Sequence, residues 1–152
     1  MTAAVFVDST TILYTQDRRY PAKQRRSTEW LKSLLASNAL TVSPQVLNET
    51  YSVVRRKPEF AHWRSDVRVF LLDQLEWAAP PITADQMQEA WRLEDRYQVN
   101  SWDALLLASA SQAGCAWFLS EDLNDGQDYG GVRVVNPFRH APADVLGRAV
   151  PI

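Results

Sequence analysis

Four acidic residues stand beside apolar segments, at places where a folded chain can bring them together. Asp8 ends the apolar run 3–7, and Asp122 comes three residues after the apolar segment 116–119. Glu49 falls in the second turn of one predicted helix, and Asp103 in the first turn of another. Carboxylates that converge raise each other's pKa unless a cation neutralises them. Donors that are all oxygen suit Mg²⁺ or Mn²⁺ better than Zn²⁺.

Each of these acids also has a purely structural explanation. Asp8 can cap the helix that follows it, and the charge of Asp103 can stabilise a helix N-terminus. Glu49 can pair with an arginine at 55–56, and Asp122 can belong to a polar turn. Four acids in comparable positions favour a shared metal site over four separate structural roles.

Other residue types that bind metals are few in this sequence. His62 and His140 have no second histidine or cysteine at metal-ligand spacing, so we interpret both as non-ligands. Cys115 is the single cysteine, which excludes an internal disulfide and predicts a small buried side chain.

Short apolar strands that alternate with helices must position the acids. Strands are predicted at 3–7, 40–42, 116–119 and 132–135, with a weaker one at 76–79. Helices are predicted to begin after Asp8 and to cover 28–37, 44–57, 60–75, 83–97 and 101–114. The polar stretches 18–26 and 120–131 are interpreted as loops.

This alternation predicts a three-layer α/β/α single domain with a parallel central sheet covered on both faces. Ligands bind such sheets at the carboxyl ends of the strands, which is where we expect all four acids. The 152 residues suit one domain. We assign it to residues 1–140, with 141–152 as a C-terminal tail of the same domain.

Composition favours a cytoplasmic globular protein. The hydrophobic fraction is 46% and the charged fraction is 22%, both ordinary for a folded domain. The longest apolar stretch, 102–118, is interrupted by Asp103 and is too polar to span a membrane. The first residues contain no basic leader and no cleavage-site pattern, so no signal peptide is predicted.

Basic residues concentrate in the first half of the chain, although the net charge is −2. Eleven of the 16 lysines and arginines lie at or before Arg68. One cluster falls within 18–26, and a second is the run 55–57. Each is either a solvated surface or a set of contacts to nucleic-acid phosphates.

The acids and the segments around them resemble the PIN domain family, and within it the VapC-type toxins of toxin–antitoxin pairs. The matching segments are 5–9 (VFVDS), 43–49 (SPQVLNE), 100–110 (NSWDALLLASA), 119–126 (LSEDLNDG) and 132–138 (VRVVNPF). Together they extend over residues 3 to 140. The sequence departs from the family at Ser9-Thr10, where many members have Thr-Asn.

The resemblance implies a parallel sheet and a Mg²⁺- or Mn²⁺-dependent endoribonuclease that acts on single-stranded or structured RNA. The mechanism it implies is metal-assisted hydrolysis. The residues it implies as catalytic and metal-binding are Asp8, Glu49, Asp103 and Asp122, with Ser120 and Asp125 as additional candidates. The candidates for RNA contact are Arg18, Arg19, Lys23, Arg25 and Arg26. The implied partners are the RNA substrate, a protein antitoxin and a second copy of the chain in a homodimer.

Other functions fit the sequence less well. A haloacid-dehalogenase-type phosphatase needs a second aspartate where Thr10 stands, and a response-regulator receiver needs a lysine where 136–137 is Asn-Pro. A degenerate, non-catalytic PIN-like module would lack one or more of the four acids. A housekeeping RNase of the same fold stays open as the alternative to a toxin.

Overall fold

The computed structural model describes residues 3–146 of the chain. Its strands are β1 (Val5–Val7), β2 (Leu40–Thr41), β3 (Trp117–Leu119), β4 (Asp128–Tyr129) and β5 (Val132–Val135). Its helices are α1 (Ser9–Tyr14), α2 (Pro21–Ala36), α3 (Pro44–Arg56), α4 (Val67–Leu75), α5 (Ala84–Tyr97), α6 (Ser101–Gln112) and α7 (Pro142–Leu146), with a 3₁₀ helix at Pro58–Trp63. The alternation of strands and helices confirms the predicted α/β class.

The strands of this part of the chain form one sheet in the order β2-β1-β3-β5-β4. β1 pairs in parallel with β2 and with β3, and β3 pairs in parallel with β5, whereas β4 runs antiparallel to β5. Val7 of β1 stands opposite Leu119 of β3. The residues that follow these two strands, Asp8 and Ser120, therefore leave the same edge of the sheet side by side.

The core is built around the central strands. All three residues of β1 are fully buried, and the ring of Phe6 stacks on that of Phe118 with centroids 5.3 Å apart. Burial on both faces explains why these strands appear in the sequence as unbroken apolar runs. Trp30 of α2 is also buried, and its indole N–H donates to the carbonyl oxygens of Pro137 and His140.

The helices flank the sheet in two groups. α1 packs against α2 and α3, and α3 packs against α4; α5 packs against α6, which contacts β3 and β5. α7 lies within the predicted tail and contacts α2, and its Val145 is buried in the core. The rest of that tail, 147–152, lies outside the described residues. Along residues 3–146, we find no helix with the length and apolar character needed to cross a membrane.

Two predicted boundaries are wrong because proline begins a helix earlier than the sequence pattern suggested. The stretch 18–26 is not a loop throughout, since α2 begins at Pro21, whose fixed φ suits the first helical position. The predicted helix 60–75 is two elements, since Pro58 begins a 3₁₀ helix and α4 begins only at Val67.

Two sheet predictions are also wrong. No strand forms at 76–79: Ala79 donates one backbone hydrogen bond to Val42, but Pro80 and Pro81 have no N–H with which to extend a ladder. The stretch 120–131 is not all loop, because it contains β4. This short antiparallel edge strand makes the sheet mostly parallel rather than wholly so.

Candidate active site

Asp8 is the most buried of the four predicted acids. It is 7% exposed and caps α1, where its Oδ1 accepts hydrogen bonds from the backbone N–H of Thr11 at 3.0 Å and from its hydroxyl at 2.8 Å. Burial, with a smaller contribution from the charges of Asp122 and Glu49, raises the pKa of Asp8 to about 7 against the lowering effect of the Thr11 bonds. The structure thus gives Asp8 the capping role while coupling it to two other predicted acids.

Asp122 lies in the loop that leaves β3, beside the end of β1. Burial raises the pKa of Asp122, as do the charges of Glu121 and Asp103, while Lys23 lowers it. Ser120 is buried, and its hydroxyl oxygen accepts the backbone N–H of Asp122 at 3.1 Å and of Leu123 at 3.4 Å. Ser120 therefore fixes the turn that presents Asp122.

Asp103 occupies the first turn of α6 and is held there by Asn100. The Asn100 side-chain oxygen accepts the backbone N–H of Asp103 at 2.8 Å and so caps the helix. The Asn100 amide Nδ2 donates to Oδ2 of Asp103 at 2.7 Å. One asparagine thus starts the helix and orients the carboxylate, a second role that the sequence pattern did not reveal.

Glu49 is half-buried on α3, which follows β2. Glu49 does not pair with Arg55 or Arg56, since neither arginine forms a salt bridge with it among residues 3–146. Its charge acts on Asp8 instead. The electrostatic couplings therefore run from Glu49 to Asp8, from Asp8 to Asp122, and from Asp122 to Asp103.

The donor set fits a hard divalent cation in chemistry, since it consists of carboxylate oxygens that repel one another. The carboxylates are not, however, gathered closely enough to surround one ion. Within the described residues, no three acidic, histidine or cysteine side chains lie close enough together to hold one metal ion. Oδ1 of Asp8 and Oδ2 of Asp103 are both engaged in hydrogen bonds to neighbouring residues. A cation at this edge of the sheet would have to draw the carboxylates together.

Asp125 and His140 bind each other. One oxygen of Asp125 accepts the backbone N–H of Asn136 at 2.8 Å, and the other lies 2.8 Å from Nε2 of His140. These bonds outweigh desolvation, so the pKa of Asp125 is lowered. The structure therefore uses Asp125 to fasten the loop after β3 to the chain after β5. Its oxygens are not directed at the four acids.

Most of the predicted RNA-contact residues are engaged in ion pairs. Lys23 binds Glu121 at 2.7 Å and lies over the ring of Tyr14. Arg19 binds Asp17 at 2.8 Å, and Arg26 lies 3.4 Å from Glu29. Arg18 and Arg25 are exposed. Glu121 is too distant in sequence from Lys23 to be seen in a local charge count, whereas Arg19 and Arg26 pair with acids close to them in the sequence.

Comparison with known proteins identifies the family. The family model of the PIN domain matches residues 5–124, which is more than half of the chain. The chain belongs to the PIN domain family. No curated protein matches this PIN domain.

Solved structures share the PIN fold at low sequence identity. The sarcin–ricin loop cleaving toxin VapC20 of Mycobacterium tuberculosis has a TM-score of 0.52 and 20% identity, covering 76% of this chain and 87% of its own. FitAcB of Neisseria gonorrhoeae has a TM-score of 0.67 and 15% identity, covering 90% and 99%. DNA-bound VapBC of Salmonella typhimurium has a TM-score of 0.61 and 14% identity, covering 87% and 96%. At these identities the likeness establishes the fold.

Proposed function

We propose that this PIN domain is a Mg²⁺- or Mn²⁺-dependent endoribonuclease and that it is the toxin of a toxin–antitoxin pair. The observation that carries the proposal is the coupled set of carboxylates at one edge of the sheet. Asp8 is buried, and its burial together with the charges of Asp122 and Glu49 raises its pKa to about 7. A fold that keeps such a costly arrangement is expected to use it for function rather than for stability.

The chemistry would divide between the cation and the protein. Asp8, Glu49, Asp103 and Asp122 would hold the cation, which would supply Lewis-acid stabilisation of charge on the phosphate and lower the pKa of nearby water. One carboxylate would orient the attacking water.

The supporting side chains would keep these carboxylates in position for the cut. Thr11 fixes one oxygen of Asp8, and Asn100 fixes one oxygen of Asp103. Ser120 fixes the turn of Asp122.

The toxin role is supported by the structural neighbours. Among them are a protein described as a sarcin–ricin loop cleaving toxin, a toxin–antitoxin complex from Klebsiella pneumoniae and a VapBC complex. By analogy, a protein antitoxin would bind this chain and inhibit it, and both would act in the cytoplasm.

A cleavage assay on total RNA tests the proposal. Wild type should cleave RNA with Mn²⁺ and should stop when EDTA is added. Asp8→Asn and Asp103→Asn should each lower cleavage by about two orders of magnitude or more while remaining folded, because each removes one charge from the cation site. Asp95→Asn, which removes an exposed carboxylate of α5, serves as the matched control and should remain active. Cleavage that persists in EDTA, or in a folded Asp103→Asn protein, would contradict the metal-nuclease proposal.

A further inference from the structure

A cleft of about 340 Å³ is lined by residues of α1, which Asp8 caps, and of α3, which carries Glu49. α1 lines it with Thr10, Leu13 and Tyr14, and α3 lines it with Val53 and Arg56. The two helices pack against each other, and both begin at the edge of the sheet that carries the acids. These two helices thus connect the cleft to the edge of the sheet that carries the acids.

Helical spacing relates the cleft to the acids. Asp8 caps α1, and Thr10 lies in the first turn after it. On α3, Glu49, Val53 and Arg56 stand at positions i, i+4 and i+7, so they share one face of the helix. At 1.5 Å per residue, Arg56 lies about 10 Å beyond Glu49 along the helix. An extended ligand that starts at the acids and follows this face of α3 reaches Arg56 after two helical turns.

The far end of the cleft carries positive charge without partners. Arg56 and Lys57 are both exposed, and among residues 3–146 neither forms a salt bridge. Arg19 also lines the cleft, but it binds Asp17 and lies 3.8 Å from Glu59. Even with both of these acids counted, cations outnumber anions. This balance favours a polyanion over an apolar or basic peptide segment.

Aromatic rings share the cleft with these charges. Tyr14, Tyr20 and Phe60 all line the cleft. Tyr20 packs edge-on against Tyr14 with centroids 6.0 Å apart and is 47% exposed. Proteins that bind single-stranded nucleic acid combine a positive groove with aromatic side chains on which the bases stack. The cleft has both components within one small surface.

We propose that this cleft binds the single-stranded RNA that flanks the cut, with Arg56 and Lys57 each on a backbone phosphate and Tyr20 stacking on a base. The inference rests on the proposed ribonuclease function and assigns the path of its substrate. It moves the main phosphate contacts from 18–26, where most cations are paired, to the C-terminal end of α3.

The experiment measures the binding of a short fluorescein-labelled single-stranded RNA by anisotropy over a series of salt concentrations. The full chain is used in EDTA with Asp8→Asn, so that cleavage does not interfere. Arg56→Gln with Lys57→Gln should weaken binding on the order of tenfold at low salt. It should also reduce the slope of log K against log salt by about 1.4, since each phosphate contact to a single strand contributes about 0.7.

Matched variants separate this path from a general charge effect. Arg55 is exposed and adjacent to Arg56 but does not line the cleft, so Arg55→Gln makes the same kind of charge change and should leave the salt slope unchanged.

Tyr20→Leu should weaken binding about tenfold and Tyr20→Phe should restore it, because stacking needs the ring and not the hydroxyl.

The outcomes distinguish the inference from the function on which it rests. If wild type cleaves RNA but the Arg56 and Lys57 variant binds RNA with the affinity and salt slope of Arg55→Gln, the cleft holds something else and the inference is wrong. If wild type neither binds nor cleaves RNA, the proposed function fails and the inference fails with it.

Discussion

Asp8 combines two roles that conflict when no cation is present. As the cap of α1 it accepts two hydrogen bonds from Thr11, which favour the charged carboxylate. As a buried group beside Asp122 and Glu49 it is driven towards the neutral form, and burial is the largest of these effects. The outcome is a pKa of about 7 against 3.8 for an ordinary aspartate. The charged form of Asp8 therefore destabilises the cation-free fold.

The pH dependence of stability tests this account. Because the folded state binds the Asp8 proton more tightly than the unfolded state, the free energy of unfolding should fall as pH rises from about 4 to about 7 and then level off. A pKa shift of this size lowers the free energy of unfolding by at most about 4 kcal/mol. Asp8→Asn keeps the cap and lacks the charge. In EDTA it should match wild type near pH 4 and exceed it by about 1–3 kcal/mol near pH 8, as measured by urea denaturation.

The difference between variant and wild type cancels the other titrating groups, which both proteins share. Asp8→Ala is the control for the cap, since it also removes the charge but should lose about 1 kcal/mol of helix capping at every pH. An Asp8→Asn protein that is less stable than wild type near pH 8 would mean that Asp8 is mainly a structural cap.

At the scale of elements, α6 shows how the start of a helix can position a carboxylate. Asn100 caps α6 with its side-chain oxygen and holds Asp103 with its side-chain nitrogen. Asn100→Ser should keep the cap but lose the amide donor, whereas Asn100→Ala should lose both. We expect both variants to lower RNA cleavage by a similar factor, about tenfold, through a misoriented Asp103. Only the alanine variant should lose about 1 kcal/mol of stability.

Paired measurements of cleavage rate and of urea denaturation separate the two roles of Asn100. Full cleavage by a stable Asn100→Ser protein would show that the bond to Asp103 has no part in the reaction. A serine variant as destabilised as the alanine variant would show that the amide, rather than the cap, stabilises α6.

The elements that carry the acids were predictable because their signals are local. Asp8 follows a fully buried strand, Ser43 caps a helix that begins at Pro44, and Thr83 and Asn100 cap α5 and α6. Each boundary depends on residues within a few positions of one another. The α/β class and the elements that carry the acids could therefore be predicted from the sequence.

Contacts between residues distant in the sequence could not be predicted. Lys23 is paired with Glu121, which lies 98 residues further along the chain, and a local charge count cannot show that pairing. Asp125 binds Asn136 and His140, which lie 11 and 15 residues further along the chain and are likewise outside its local sequence. The apolar segment 76–79 makes one backbone hydrogen bond, from Ala79 to the distant Val42, and Pro80 and Pro81 cannot extend it into a strand. Residue type and spacing identified the candidate site, whereas these pairings set its surroundings.

At the scale of the whole molecule, α4, the residues just after it and the C-terminal end of α2 carry exposed apolar side chains. Val69 and Trp77 are 71% and 76% exposed, and Leu35, Leu72 and Leu75 are exposed as well. A groove of about 340 Å³ lies in the same region, lined by residues that include Leu35, Asp73 and Trp77. Clustered apolar exposure of this kind marks interaction surfaces in folded proteins.

We expect this α2–α4 surface to join two copies of the chain, since a twofold dimer is the commonest closed assembly. Light scattering should then show a dimer at micromolar concentrations. Leu72→Lys with Trp77→Lys should shift it to monomer without unfolding, because both side chains are exposed in the single chain. Trp91→Lys, at an exposed tryptophan of α5, is the matched control and should stay dimeric. A wild-type monomer would contradict the prediction, and dissociation by Trp91→Lys alone would move the interface to α5.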